Sequence, residues 1–240
     1  MNAAAGPPVV AAKLRAPALP VGVVTRTRLL ARLAASRCRV VLVAGPAGFG
    51  KSVLVTDWLQ RERPPSAWLS LDELDNDPRR LLNHLAGAFD ALGSPAGDVL
   101  RAQRDPLALA REPALLEALA TCDPSAAVVL DDVHLLEEEP SLEVLRSLVE
   151  LRGVTPRFVL LTRVNPPFSF GRLRAAGELL ELREQDLRFT LDEAEALFAA
   201  LLPDGLDADL VRRLDARTEG WAAGLRMAAI ALERASDRGA

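Results

Sequence analysis

The sequence predicts an α/β fold, a parallel sheet flanked by helices, followed by a smaller all-helical part. Three observations predict it. Short apolar runs of strand length alternate with segments whose apolar residues recur at helical spacing, the pattern of a parallel sheet covered on both faces. A glycine-rich octapeptide, Gly45-Pro46-Ala47-Gly48-Phe49-Gly50-Lys51-Ser52, stands between the first such run and the helical segment behind it. From Thr190 onward the strand-like runs stop and only helical patterns remain.

Taken in order, residues 1–24 carry Pro7, Pro8, Pro17 and Pro20 and are expected to run extended. Residues 1–12 are apolar but lack the positive region of a signal peptide, and are expected to form a flexible tail. A helix is expected over 25–35, with Leu29, Leu30 and Leu33 on one face. Residues 39–44 read as a buried strand and 51–60 as a helix. Pro64-Pro65 stops that helix, and 67–71 reads as the second strand. Asp77-Pro78 is a helix start, a capping carboxylate with proline in the first turn, and Gly93 ends that helix. Residues 94–125 are weakly specified apart from a helix near 113–120. The third strand, 126–130, ends in Asp131-Asp132. Leucine and valine at helical spacing over 141–151 give a helix, 158–162 a fourth strand and 179–182 a short fifth. Thr190-x-x-Glu193 forms a capping box, Asp207 caps a second helix, and a third runs over 221–234.

Composition narrows the class. Half of the 240 residues are hydrophobic, enough for a sizeable core, and the net charge of −4 gives no general pull toward nucleic acid. Cys38 and Cys122 are too few for a disulfide framework or a zinc site and read as buried or incidental thiols of a reducing, cytoplasmic compartment. No apolar run reaches the length of a membrane span.

The octapeptide fits G-x-x-x-x-G-K-[ST], the phosphate-binding P-loop, and its strand-before, helix-after context is what that chemistry requires. With Pro46 shaping the turn, backbone N–H groups of Gly45, Ala47, Gly48, Phe49 and Gly50 curl around phosphates, and the helix N-terminus through Val53 adds partial positive charge. Lys51 reaches the β/γ-phosphates and the Ser52 hydroxyl ligates Mg²⁺. The chain has two lysines, Lys13 and Lys51, so one of them stands where a P-loop needs it. A Mg²⁺ shell also needs a carboxylate at an apolar strand end. Asp131 fits that role, and Asp132 fits the orientation or deprotonation of an attacking water. Arg163, just past the fourth strand, suits γ-phosphate sensing, because a guanidinium matches phosphate oxygens. His134 reads as a satisfied loop histidine, Arg172 and Arg174 as a solvated helix face, and Trp68 and Trp221 as core aromatics.

Further runs carry a family resemblance. They are Lys13-Leu14-Arg15-x-Pro17, Val24-x-Arg26-x-Arg28-Leu29-Leu30, the stretch from Ala67-Trp68-Leu69-Ser70-Leu71-Asp72-Glu73 through Asp75-Asn76-Asp77-Pro78, Leu187-Arg188-Phe189-Thr190, and Gly220-Trp221-x-x-Gly224-Leu225. With the P-loop, they resemble the nucleotide-binding region of STAND-class signalling ATPases of the MalT type, the large LuxR-family bacterial transcription regulators. The resemblance implies a P-loop NTPase parallel five-stranded sheet in the order 5-1-4-3-2 and a partial helical lid. The domains expected are an extended segment over 1–24, a nucleotide-binding domain over 25–184 and the lid over 185–240. The resemblance also implies that the backbone near Val24 and Arg26 touches adenine. Gly224-Leu225 resembles the turn that closes over nucleotide in NB-ARC domains, although Arg226 stands where that motif has proline. Relatives continue with winged-helix, sensor and helix-turn-helix domains, so no DNA-binding module is expected within these residues.

The function expected is an ATP/ADP-binding switch with slow Mg²⁺-dependent hydrolysis, with self-association in the ATP state. A fast AAA-type motor and a non-hydrolysing interaction module are the alternatives.

Overall fold

The computed structural model describes residues 9–103, 105, 109, 112–151, 156–202 and 205–239. In chain order they form α1 (Thr27–Ala35), β1 (Val40–Ala44), α2 (Lys51–Glu62), β2 (Ser66–Ser70), α3 (Pro78–Ala91), α4 (Ala96–Ala102), α5 (Pro113–Ala120), β3 (Ala127–Asp131), α6 (Glu139–Glu150), β4 (Arg157–Thr162), α7 (Gly171–Ala175), β5 (Leu179–Leu182), α8 (Glu184–Leu187), α9 (Leu191–Leu201), α10 (Ala208–Thr218) and α11 (Ala222–Gly239). No helix among the described residues is long and apolar enough to cross a membrane.

The strands make one five-stranded parallel sheet in the order β2-β3-β4-β1-β5. This is the expected order read from the other edge. Val40 stands opposite Phe158 and Ala44 opposite Thr162 in the parallel β1–β4 pair, and Val128 opposite Phe158 in β3–β4. Val40 to Val43 and Ala127 to Val129 have no solvent exposure. That is why these strands are apolar throughout rather than alternating. Each such valine or leucine gains about 1.5–3 kcal/mol on burial.

The chain divides into two compact units, each assembled from three separate segments. The first comprises 1–16, 36–44 and 62–181; the second comprises 17–35, 45–61 and 182–240. The first holds the core of the sheet, with Phe89, Leu81, Leu85, Leu115 and Leu145 packed against Leu42, Leu130 and Leu160.

Within this first unit, the run 72–78 is not the acidic loop its composition suggests. Asp72 caps a 3-10 turn, Glu73–Asn76, through a capping box with Asp75. Asp77 caps α3 by accepting from the Arg79 N–H at 2.9 Å, with Pro78 in the first turn. Asp75 is wholly buried. It takes a hydrogen bond from Lys13 Nζ and pairs with His84 Nδ1 at 2.7 Å. Burial alone would push its carboxyl up. Hydrogen bonds from His84, Lys13 and the Asp72 amide, together with the Lys13 charge, outweigh that and hold it at about 2.

Lys13 also corrects the expectation of a flexible tail over 1–12. Residues 1–8 lie outside the described residues, but Ala11–Leu14 forms a 3-10 turn, and Val9 and Leu14 come so close to Gly87 of α3 that a Cβ there would meet Val9 at 2.9 Å. The extended segment expected over 1–24 is therefore anchored through its Lys13 end by a buried ion pair.

The second unit holds α1, the glycine loop with most of α2, and α8 to α11. Ala194, Leu197, Phe198, Val211, Leu225 and Ala229 form its helical core. The expected capping box of α9 is present: the Glu193 N–H donates to Thr190 Oγ1 at 3.2 Å, and the Thr190 N–H to Glu193 Oε2 at 3.1 Å. Asp207 caps α10 by accepting from the Asp209 and Leu210 N–H groups.

Candidate functional site

β1 ends at Ala44 and α2 begins at Lys51, so residues 45–50 are the turn between a buried strand and a helix N-terminus. Gly48 has φ +80° and Gly50 φ +76°, the left-handed region that glycine occupies without strain. At Gly48 glycine is required twice over. A Cβ would sit 2.6 Å from the Trp221 indole nitrogen and 2.7 Å from the Ala223 Cβ. The approach is fixed by two hydrogen bonds from the α11 end: Trp221 Nε1–H donates to the Ala47 carbonyl at 3.0 Å, and the Ala223 N–H to the Gly48 carbonyl at 3.0 Å. Lys51 is buried, and its Nζ donates to the Gly45 carbonyl at 2.7 Å and the Pro46 carbonyl at 2.9 Å.

The two arginines of the Val24-x-Arg26-x-Arg28 run tie it to Leu187-Arg188-Phe189-Thr190. Arg26 donates to the Leu187 and Arg188 carbonyls, both at 2.8 Å, and its guanidinium lies 4.7 Å from the Phe189 ring centre. Arg28 donates to the Asp186 and Arg188 carbonyls. Both arginines pair with the buried Glu193, Arg26 at 3.2 Å and Arg28 at 3.1 Å. Burial lowers the Arg26 pKa from its ordinary value, opposed by the Glu193 charge. This network explains why the two separated runs carry the family pattern together.

A cavity of about 230 Å³ opens in this unit. Its lining comes from four stretches of chain: Val23 and Val24, with Pro20 and Gly22; Gly48, Gly50, Val53 and Leu54; Phe189 and Leu197; and Ala222, Ala223 and Arg226. The lining is overwhelmingly apolar, with Arg26 and Asp57 as buried charged members. The backbone N–H and C=O groups of Val23 and Val24 make no hydrogen bond among the described residues.

In the first unit, Asp131 is the last residue of β3 and is 8% exposed; its Oδ1 accepts from the Asp132 N–H at 2.9 Å. Asp132 has φ 57° and ψ 38°, a left-handed geometry that aspartate tolerates better than most residues. The His134 ring nitrogen stands 3.8 Å from the Asp132 carboxylate. The segment after these aspartates is held by Asn76, whose side chain accepts from the Glu137 and Glu138 N–H groups and donates to the Leu135 carbonyl at 2.9 Å. Arg163 follows β4 directly and is exposed. Among the described residues no group of three or more His, Cys, Asp or Glu side chains is placed to hold a metal ion.

Of the expected nucleotide-site residues, the cavity brings together Val24, Arg26, Gly48, Gly50 and Val53. Gly45, Pro46, Ala47, Phe49, Lys51 and Ser52 complete the loop and the helix start but do not line it. Gly224 and Leu225 do not line it either. Leu225 is wholly buried in the helical core, and Gly224 lies against the Trp221 ring, because the helical period turns Ala222, Ala223 and Arg226 toward the cavity instead. Trp68 is a core aromatic, 3% exposed. Trp221 is not. It is half-buried on the glycine loop. Its place in the Gly220-Trp221 run was the available signal, and tryptophan's usual burial masked it. Asp57 carried no motif signal at all.

A five-stranded parallel sheet of this order, with a strand–glycine loop–helix passage after β1, defines a P-loop ATPase fold. The chain belongs to the AAA ATPase domain family, whose model matches residues 26–161. Among curated proteins it is similar to the serine/threonine-protein kinase PknK of Mycobacterium tuberculosis, at 34% identity over 96% of the chain and 22% of that protein. It is also similar to the HTH-type transcriptional regulator MalT of Serratia proteamaculans, at 30% identity over 95% of the chain and 26% of that protein. The resemblance to MalT-type regulators therefore holds across nearly the whole chain, which itself spans about a quarter of these relatives' length. Solved structures with the same fold include Drosophila ORC bound to DNA, with a TM-score of 0.57 at 16% identity over 95% of the chain and 60% of that chain. A Walker-type ATPase of Pyrococcus abyssi gives a TM-score of 0.55 at 15% identity over 90% of the chain and 69% of that chain.

Proposed function

We propose that the chain is an ATP/ADP-binding switch with slow Mg²⁺-dependent hydrolysis, the NTPase region of a cytoplasmic MalT-type transcription regulator that self-associates in its ATP state. The observation that carries the proposal is the apolar cavity against the glycine loop, walled by Val24 and by the Ala222–Ala223 turn. A purine needs apolar faces above and below it and a few polar groups at its edge. The valines, Phe189 and Leu197 supply the first, and the unpaired Val23–Val24 backbone the second. A helix starting at Lys51 supplies a positive end for phosphate. These residues fit a nucleotide.

In this reading Gly45 through Val53 cradle the phosphates, and Lys51 carries the positive charge. Lys51 exchanges its Gly45 and Pro46 carbonyl partners for phosphate oxygens. Mg²⁺ retains much of its water shell and takes few protein ligands, and the sequence pattern assigns the Ser52 hydroxyl and the Asp131 carboxylate to it. Bound Mg²⁺ supplies neutralisation of phosphate charge. The roles of Asp131, of Asp132 in holding the attacking water's proton and of Arg163 in sensing the γ-phosphate rest on the sequence pattern. Trp221 and Ala223 give the switch its coupling. They hold the Ala47 and Gly48 carbonyls, so a change in loop shape is a change in the helical segment's footing. A ligand shifts such an equilibrium only by its differential contacts with the two states.

The test is binding of a fluorescent ATP or ADP analogue, with Mg²⁺, to the chain and to Lys51→Ala. Micromolar or tighter binding that the variant loses is expected; a folded chain that binds neither overturns the proposal. Slow turnover separates the switch from a fast AAA-type motor, and partner binding that ignores Lys51→Ala marks an inert interaction module.

A further inference from the structure

Asp57 is an outlier in its surroundings. It sits on α2, six residues past Lys51, in the lining of a mostly apolar cavity whose other charged members are Arg26 and Arg226, and is only 5% exposed. Its Oδ1 accepts from Arg61 Nε at 2.7 Å, and Arg61 in turn donates from its other arm to Thr25 Oγ1 at 2.7 Å. The carboxylate makes no other hydrogen bond among the described residues. Burying a carboxylate beside Val53 and Leu54 costs free energy unless its oxygens find donors. The Arg61 pair satisfies one oxygen and also fixes the orientation of the group, since Arg61 is braced on Thr25. The second oxygen is an acceptor with spare capacity in a base-sized apolar space.

We propose that Asp57 is the residue that selects the base: its free carboxylate oxygen accepts a hydrogen bond from the exocyclic amino group at C6 of adenine and repels the carbonyl oxygen that guanine and hypoxanthine carry there. This rests on the cavity being the base site and adds the group that reads the base edge. The chemistry favours the base over the sugar because the neighbouring wall residues, Val53, Leu54 and Leu197, are apolar. An ionised carboxylate only accepts hydrogen bonds, so it distinguishes an amino group from a carbonyl by sign as well as by shape. The gain from one charge-assisted hydrogen bond, set against an unpaired acceptor facing a carbonyl, corresponds to about a ten- to hundredfold preference.

The experiment compares the affinities of ATP, ITP, purine riboside triphosphate and 2′-deoxy-ATP for the wild-type chain and for Asp57→Asn. ITP carries the C6 carbonyl, and purine riboside triphosphate carries only hydrogen there. The wild type is expected to bind ATP most tightly, purine riboside triphosphate less tightly and ITP least, with 2′-deoxy-ATP close to ATP. Asparagine presents both an acceptor and a donor, so Asp57→Asn is expected to bring the ATP-to-ITP ratio toward unity and leave the ATP-to-2′-deoxy-ATP ratio unmoved. A wild type indifferent to the C6 substituent overturns the assignment, as does a variant that keeps the ratio or one that instead loses discrimination at the sugar. If Asp57→Asn does not fold, Asp57→Ser, which also removes the carboxylate, is measured on the same four nucleotides: it is expected to lose the ATP-to-ITP preference, and a retained preference overturns the assignment. Failure of the wild type to bind any of the four overturns the nucleotide-site reading itself, and this assignment with it. Binding of all four without preference overturns only this one.

Discussion

Asp75 shows how much a single position can carry without touching any ligand. Its carboxylate is shut off from water and still held at about 2 by Lys13, His84 and the Asp72 amide. In the unfolded chain the same group takes up its proton near 3.9, so below that value the unfolded state binds the proton first and the fold loses ground. The contribution, about 2.5 kcal/mol for a shift of this size, is in full force above pH 4 and is lost as pH falls from about 4 toward 2. Urea unfolding midpoints measured across that window should fall in the wild type. Asp75→Asn should be less stable at neutral pH and lack this part of the slope. An identical slope in both would remove Asp75 from the account. The sequence marked Lys13 and the 72–78 run as family features, yet a lysine in a proline-bearing segment and a row of acids look solvated. Only their distance in space turns them into a buried pair, and spacing along the chain does not report distance across 62 residues.

The elements themselves were readable because each is locally consistent. The apolar runs became β1 to β5 to within a residue or two, and the Asp77-Pro78, Thr190–Glu193 and Asp207 starts are capped as their side chains require. What escaped was how the start of α11 meets the glycine loop. The hydrogen bonds there use the Ala47 and Gly48 carbonyls, and backbone acceptors leave no mark in a sequence. Gly224 and Leu225 drew notice by likeness to a known turn, whereas helical phase sends Ala222, Ala223 and Arg226 to the cavity. The clasp predicts unequal tolerance within one motif. Gly50→Ala meets no atom within 4 Å and carries only the left-handed backbone penalty, about 1–2 kcal/mol. Gly48→Ala carries the same penalty and must also displace Trp221 and Ala223. Denaturant titration of the two variants should therefore show Gly48→Ala losing clearly more stability. Equal losses would mean that Trp221 does not pin the loop.

For the molecule as a whole, strand–helix alternation announced the parallel sheet, and the family pattern supplied its order. A linear division near residue 185 did not foresee that the glycine loop and α1 cluster with the C-terminal helices, so that each compact unit draws on three stretches of chain. Nucleotide bound in the cavity would thus hold together segments from 17–35, 45–61 and 182–240 at once. At a hundredfold excess over Kd such a ligand adds about 2.7 kcal/mol. For a chain of this size that corresponds to an upward Tm shift of about 5–11 °C. Thermal melts with and without Mg-ATP should show it in the wild type and not in Lys51→Ala; a shift of the same size in both would place the binding elsewhere. The buried Arg26–Glu193 contact has a further consequence during synthesis. The carbonyl of Leu187 that Arg26 needs is made 161 residues after the arginine. At the ribosome's pace of about 5–20 residues per second, that guanidinium waits roughly 8–32 s for its partner. Throughout that interval the guanidinium stays hydrated, and the second unit cannot close until the residues it draws from 182–240 have been made.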